Sequence, residues 1–267
     1  MDTRYVHGYD QRENTRLQDQ ATTLVELLHG DTAYPAGSRV LEVGCGVGAQ
    51  TLALAANSPD AAITAIDISA ASVAEAERRA TAAGYSNVRF AQADIFDLPY
   101  APESFDHLFV CFVLEHLPRP TEALRALRAY LRPGGTITVI EGDHGSTSFY
   151  PESAAARAAI ACQTELQRRA GGDAMVGRAL YPLLRAAGYR APYVSPHLIY
   201  VDGSRPELIE GFTKRTFTAM IEGVREPALA AGLIDVAMFD QGIRDLYRTA
   251  EADGVFCYTF FKAVAEK

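Results

Sequence analysis

The chain has 267 residues, 48% of them hydrophobic and 22% charged, which suits one large α/β domain with insertions or a core plus a small cap. A formal net charge of −8 without a strong basic run speaks against nucleic acid as a partner, and no stretch is apolar enough to cross a membrane. Cys45, Cys111, Cys162 and Cys257 form no C-x-x-C pair, so neither a disulfide framework nor a metal site is expected. Together with an opening that lacks the apolar core of a secretion signal, this leads us to expect a cytoplasmic protein.

In chain order, residues 1–37 are expected to form an amino-terminal lid with an amphipathic helix over Asn14–Leu28. Short strand runs follow at Arg39-Val-Leu-Glu-Val, Ala62-Ile-Thr-Ala-Ile, Val88-Arg-Phe-Ala-Gln, His107-Leu-Phe-Val-Cys and Thr136-Ile-Thr-Val-Ile. Between them, Ala49–Asn57, Ala70–Ala83 and Thr121–Leu131 carry helical periodicity. Such alternation predicts a mostly parallel sheet covered on both faces. Ser69 is placed to cap the second helix and Gly84 to end it, while Pro133-Gly134-Gly135 separates the third helix from the fifth strand. Beyond Glu141 the rhythm changes. An extra helix is expected over Pro151–Ala170, then a helix near Gly177–Ala187 and a strand over Ala191–Val201. Helices over Pro206–Val224 and Ile234–Ala252 and a last strand over Val255–Val264 complete the chain. The expected organisation is a core over 38–144, a helical insertion over 145–172, core again over 173–201, a helical cap over 202–252 and the last core strand over 253–267.

Glu42-Val-Gly44-Cys-Gly46-Val-Gly48 links the first strand to a helix, with glycines that permit a sharp turn and close approach of a ligand to main-chain atoms. Asp67 ends the second strand, where a carboxylate can accept from ribose hydroxyls. Asp94 ends the third, where it can accept from an adenine amino group while Ile68 and Ile95 flank the ring. A nicotinamide dinucleotide also suits the glycine spacing, but Glu42 would oppose its pyrophosphate. S-adenosylmethionine (SAM) has no phosphate and carries an ammonium and a sulfonium, so acidic neighbours favour it. Gln50, just inside the helix, joins this candidate set.

Val40-Leu-Glu-Val-Gly-Cys-Gly-Val-Gly, Ala65-Ile-Asp-Ile-Ser, Gln92-Ala-Asp-Ile, Ser104-Phe-Asp-His and Leu131-Arg-Pro-Gly-Gly resemble, in order and spacing, the successive motifs of class I SAM-dependent methyltransferases over residues 38–141. The resemblance implies a Rossmann-like α/β fold with seven strands, the last antiparallel, here with helical cap insertions. It assigns Gly44 and Gly46 to the methionine part, Asp67 to the ribose and Asp94 to the adenine, and gives the main-chain carbonyl of Cys111 to the ammonium. Tyr5-Val-His7-Gly8-Tyr9-Asp10 resembles the opening of a bacterial subset that includes indole C3-methyltransferases, as do Glu141-Gly-Asp-His144-Gly-Ser and Phe256-Cys-Tyr-Thr-Phe-Phe. By that resemblance the opening folds over SAM, with Tyr9 near the sulfonium and Arg16 or Gln20 near the carboxylate.

Methyl transfer mainly requires alignment of acceptor and sulfonium, and a base only where the acceptor must lose a proton. His144 is the preferred acid/base, with a structural, hydrogen-bonded histidine as the alternative. Glu115 either steers the acceptor or lies in a solvated loop, and His116 is read as a capping or packing residue. Phe149, Tyr150, Phe212, Phe217, Met220, Met238 and Tyr247 are expected to be mostly core, with some lining an apolar acceptor pocket. The expected partner is a small organic acceptor, with an indole as the specific candidate and Glu115 or a tyrosine accepting its N–H. O- or N-methylation of another metabolite, a nicotinamide-dependent oxidoreductase and a SAM-binding protein without turnover are the rivals. No metal is expected, and a homodimer is compatible with the sequence.

Overall fold

The computed structural model describes residues 24–267. The proposed lid residues, including Tyr9, Arg16 and Gln20, therefore lie outside the described residues, as does most of the expected helix over Asn14–Leu28. Residues 24–29 are helical.

Among the described residues, seven strands form one sheet in the order β3-β2-β1-β4-β5-β7-β6. They are β1 (Arg39–Val43), β2 (Ala62–Asp67), β3 (Val88–Gln92), β4 (Phe105–Cys111), β5 (Leu131–Tyr150), β6 (Arg190–Val201) and β7 (Val255–Glu266). β1 pairs in parallel with β2 and β4, β2 with β3, and β4 with β5. β7 runs antiparallel to β5: the Lys267 amide donates to Gly135 O, and the Thr259 amide donates to Ser146 Oγ at the other end. The reversal of chain order across β1 and β4 brings the carboxyl ends of the parallel strands beside the first glycine turn, where ligands enter open α/β sheets.

The chain forms two compact units. The larger comprises 25–142, 176–197 and 261–267. Its strands are covered by α1 (Ala49–Asn57), α2 (Ala70–Ala82), α3 (Pro120–Arg128) and α5 (Leu180–Ala186). α2 starts where expected, because Ser69 Oγ accepts the Ser72 amide at 3.2 Å. It ends through bonds from Gly84 to Thr81 O and from Tyr85 to Ala80 O. Leu41, Leu108, Leu124, Leu127, Ile137 and Val139 form the centre of an apolar core. The buried Tyr189 ring joins that core, and its hydroxyl donates to Leu124 O at 3.1 Å.

The second unit includes 143–175 and 198–260. Here α4 (Ala154–Arg169) packs on α8 (Val236–Arg248), with α6 (Ala219–Gly223) and α7 (Arg225–Ala230) nearby in sequence. Gly242 permits the close α4–α8 approach, since a Cβ there would lie 2.4 Å from Ala155 O and 3.0 Å from Ala159 Cβ. Ser153 caps α4 by accepting the Ala156 amide and donates its own hydroxyl to Asp245. Ile209–Thr218 is a π-helix rather than the α-helix that 3.6-residue periodicity suggested. Its five-residue spacing brings the Phe212 and Phe217 rings to 6.5 Å and lets Thr216 Oγ1 donate to Gly211 O.

Two expectations of extent are corrected. β5 is 20 residues long, continuing well past Ile140 through the polar Glu141–Ser146 run. Arg225–Ala230 forms a separate helix where none was expected. No helix among the described residues is long and apolar enough to cross a membrane.

Candidate active site

The glycine turn is tied to the end of β2. The Gly44 and Cys45 amides both donate to Ile66 O, at 2.8 and 2.9 Å. Asp67 continues this fastening, since its Oδ2 accepts the Gly46 amide and its Oδ1 the Ser69 amide, both at 2.9 Å. Gly44 has φ 72°, and a Cβ on it would fall 2.4 Å from Val113 Cγ2. Glycine is required there for both reasons. Gly48, also left-handed, opens α1, and no side chain among the described residues caps that helix.

Glu42 stands at the floor of this turn, only 2% exposed. Burial, reinforced by the Asp67 charge and opposed by Thr51, pushes its carboxyl up to about 7. Its Oε2 has no hydrogen-bond partner among the described residues. A buried carboxylate with an open oxygen attracts a cation and repels a phosphate.

The next strand ends carry the other candidates. Ile68 is 59% exposed, and its carbonyl accepts from Gln92 Nε2 at 3.0 Å. Asp94 is exposed and takes the Phe96 amide on Oδ1 at 2.9 Å, while Ile95 packs on the apolar core. Cys111 is buried, and its thiol is pushed up by burial first, then by Glu141. That agrees with a packed residue rather than a nucleophile. Gln50 is held from behind: its Oε1 lies 2.5 Å from Nε2 of the fully buried His29.

Glu115 lies on the 3-10 turn Leu114–His116 after β4, with Oε1 3.5 Å from His116 Nε2. Beneath that turn sits Glu141, which sequence reasoning did not place in the site. Its Oε1 accepts the Val113 amide at 3.0 Å and the Leu114 amide at 2.7 Å. Burial first, then the Glu115 charge, raises the Glu141 carboxyl well above the usual range. The available signal was an acidic residue closing the apolar run Thr136–Ile140.

His144 belongs to the second unit and is 7% exposed. Its Nδ1 lies 3.1 Å from both Ala174 O and the Tyr258 hydroxyl. The Phe217 and Tyr258 rings pack at 5.9 and 5.6 Å from the imidazole. Phe149, Phe212, Phe217 and Phe256 are buried in the same aromatic cluster, so they form core. Thus Glu42, Gly44, Gly46, Gln50, Asp67, Ile68, Asp94, Ile95, Cys111 and Glu115 all fall within the larger unit, and His144 does not. Among the described residues, no group of three or more His, Cys, Asp or Glu side chains is arranged to hold a metal ion.

The profile of a family described as a methyltransferase domain matches residues 35–188. One similar protein is the 27-O-demethylrifamycin SV methyltransferase of Amycolatopsis mediterranei (strain S699). It is 35% identical over 134 residues, covering 50% of this chain and 49% of that protein. The methyltransferase GfsG of Streptomyces halstedii is 32% identical over 145 residues, 53% of this chain and 52% of its own. The chain spans about half the length, or less, of the first curated relatives it matches. The [4+2]-cyclase SpnF superposes with a TM-score of 0.57 at 24% identity, over 93% of this chain and 81% of that one. Phosphoethanolamine N-methyltransferase 2 of Haemonchus contortus, solved with S-adenosyl-L-methionine, gives 0.57 at 16% identity, over 93% and 52%. These structural likenesses show a shared fold.

Proposed function

The chain belongs to the class I SAM-dependent methyltransferases, and we propose that it transfers a methyl group from SAM to a small organic acceptor. The observation that carries this reading is Glu42, buried beside the glycine turn with one carboxylate oxygen open. Such a group suits a cofactor that is cationic and lacks phosphate.

Bound there, SAM supplies a methyl group already activated on a sulfonium. The protein's part is to bind, orient and exclude water. Gly44 and Gly46 admit the methionine part, Glu42 and the Cys111 carbonyl favour its ammonium, and Gln50 adds an amide. Asp67 keeps lone pairs beyond those given to Gly46 and Ser69, and these accept from the ribose hydroxyls. Asp94 accepts from the adenine amino group, with Ile68 and Ile95 on the ring faces. Tyr9, Arg16 and Gln20 complete the proposed set from the lid.

For the acceptor, indole C3 is the specific candidate. Glu115 would take the indole N–H and His144 would serve as acid or base, with the Tyr258 hydroxyl already at its Nδ1. The alternative is O-methylation, supported by the rifamycin relative. Incubation with methyl-labelled SAM and a panel of indoles, phenols, amines and carboxylates, read by mass spectrometry, tests this reading. Label on C3 of an indole supports the specific candidate, and label on oxygen replaces it. Micromolar SAM binding without methylated product across the panel would sink the methyl-transfer reading.

A further inference from the structure

The chain makes an abrupt turn immediately after β4. Phe112 has φ 56°, a left-handed conformation that costs a non-glycine residue on the order of 1 kcal/mol or more. Its amide is satisfied by Ile140 O at 2.9 Å, on the neighbouring strand. The next two amides, Val113 and Leu114, have turned away from the sheet, and both point at a single carboxylate oxygen of Glu141. Glu141 is 0% exposed, so it meets those amides away from bulk solvent. Removing that oxygen would leave the buried Leu114 N–H and the part-buried Val113 N–H unpaired in a strained turn.

What this turn carries makes the arrangement functional rather than merely local. Val113 fills the space where Gly44 lacks a side chain, with Cγ2 2.4 Å from the place a Cβ would take. Val113 thus forms one wall of the cofactor turn. Two residues on, Glu115 is the candidate group for the acceptor. We infer that Glu141 is a positioning residue: by holding the Val113 and Leu114 amides, it keeps Val113 against Gly44 and sets both the cofactor turn and Glu115. It acts through the turn and does not itself touch either substrate. The inference rests on reading the glycine turn as the SAM site.

The test is calorimetric titration with S-adenosylhomocysteine, a probe that needs no acceptor and no turnover. Glu141→Gln keeps an oxygen that can accept both amides, so its affinity should stay within about threefold of the parent. Glu141→Leu removes the acceptor and should lose at least about tenfold. Leu127→Ala, a truncation in the same apolar core as Leu114, leaves the Glu141 acceptor in place and serves as the destabilised control, and its affinity should be unchanged. If Glu141→Leu does not fold, Glu141→Asp, one methylene too short to reach both amides, should show the tenfold loss instead. Parental affinity in Glu141→Leu or Glu141→Asp, equal losses in the Leu and Gln variants, or an equal loss in Leu127→Ala each overturns the inference. Asp67→Ala separates the two levels. Unchanged affinity in that variant overturns the site reading itself, whereas a loss there beside parental Glu141→Leu affinity overturns only the role of Glu141.

Discussion

The His29 imidazole holds the Gln50 side-chain amide, with Nε2 2.5 Å from Oε1. His29 is fully buried and burial lowers its pKa to about 4, so at neutral pH the ring is uncharged and Nε2–H is the donor. Gln50 Oε1 is thereby committed, and of its amide only the NH2 group is free of this bond to serve the ligand role proposed for it. His29→Leu should reduce affinity for S-adenosylhomocysteine several-fold and cost about 1 kcal/mol of stability through the unpaired amide oxygen. Calorimetric titration and urea unfolding check both, and unchanged affinity would remove Gln50 from the proposed site.

Two buried groups should give opposing pH dependences. Glu42 binds its proton more tightly when folded, so as pH rises from about 4.5 to about 7 the unfolded chain ionises first and stability falls. His29 resists protonation when folded, so as pH falls from about 6.5 to about 4 the unfolded chain takes the proton first and stability again falls. Each effect is at most about 3 kcal/mol. Relative to the parent, Glu42→Gln should gain stability toward pH 7 and His29→Leu should gain toward pH 4. Urea midpoints across pH 4–8 read this directly, and difference curves flat in pH would contradict it.

Asp67 has two oxygens and gives one to each of two backbone amides. Asparagine keeps only one acceptor oxygen, so Asp67→Asn frees the Gly46 or the Ser69 amide and removes the charge. SAM affinity should fall by at least about tenfold, and further in Asp67→Ala. Equilibrium binding measures the loss.

Tyr258→Phe removes the hydroxyl beside His144 Nδ1 while keeping the ring in its cluster. If His144 exchanges a proton with the acceptor, the pH–rate profile should shift its limb by a fraction of a pH unit or more, with KM for SAM unchanged. A profile that moves in neither kcat nor KM would make His144 a structural residue.

Gly242→Ala should destabilise the second unit, because the added methyl would fall 2.4 Å from Ala155 O. Overpacking of this kind costs about 1–3 kcal/mol. A lower Tm by circular dichroism is the expected result, and an unchanged Tm would mean that α4 and α8 can part at little cost.

Much of the larger unit was legible because its signals are local. Strand runs such as Arg39–Val43 and helix signals such as Ser69 and Gly84 depend on residues a few positions apart. The π-helix is not legible in a 3.6-residue periodicity, although Phe212 and Phe217 stand five apart. The full length of β5 escaped for a different reason. Glu141–Ser146 is polar and glycine-containing, and its backbone finds partners far along the chain, such as Ala174 O for the His144 amide.

The sequence by itself determined the sheet's alternation, the glycine turn and the carboxylates at successive strand ends, all of which follow from local geometry and chain order. Only the tertiary structure decided which of those carboxylates are buried. Glu42, Glu115 and Glu141 are the same residue type, yet one is buried beside the glycine turn, one rides the 3-10 turn, and one is buried holding that turn's amides. Burial raises the Glu42 and Glu141 carboxyls above their usual range, and burial depends on segments far apart in the chain.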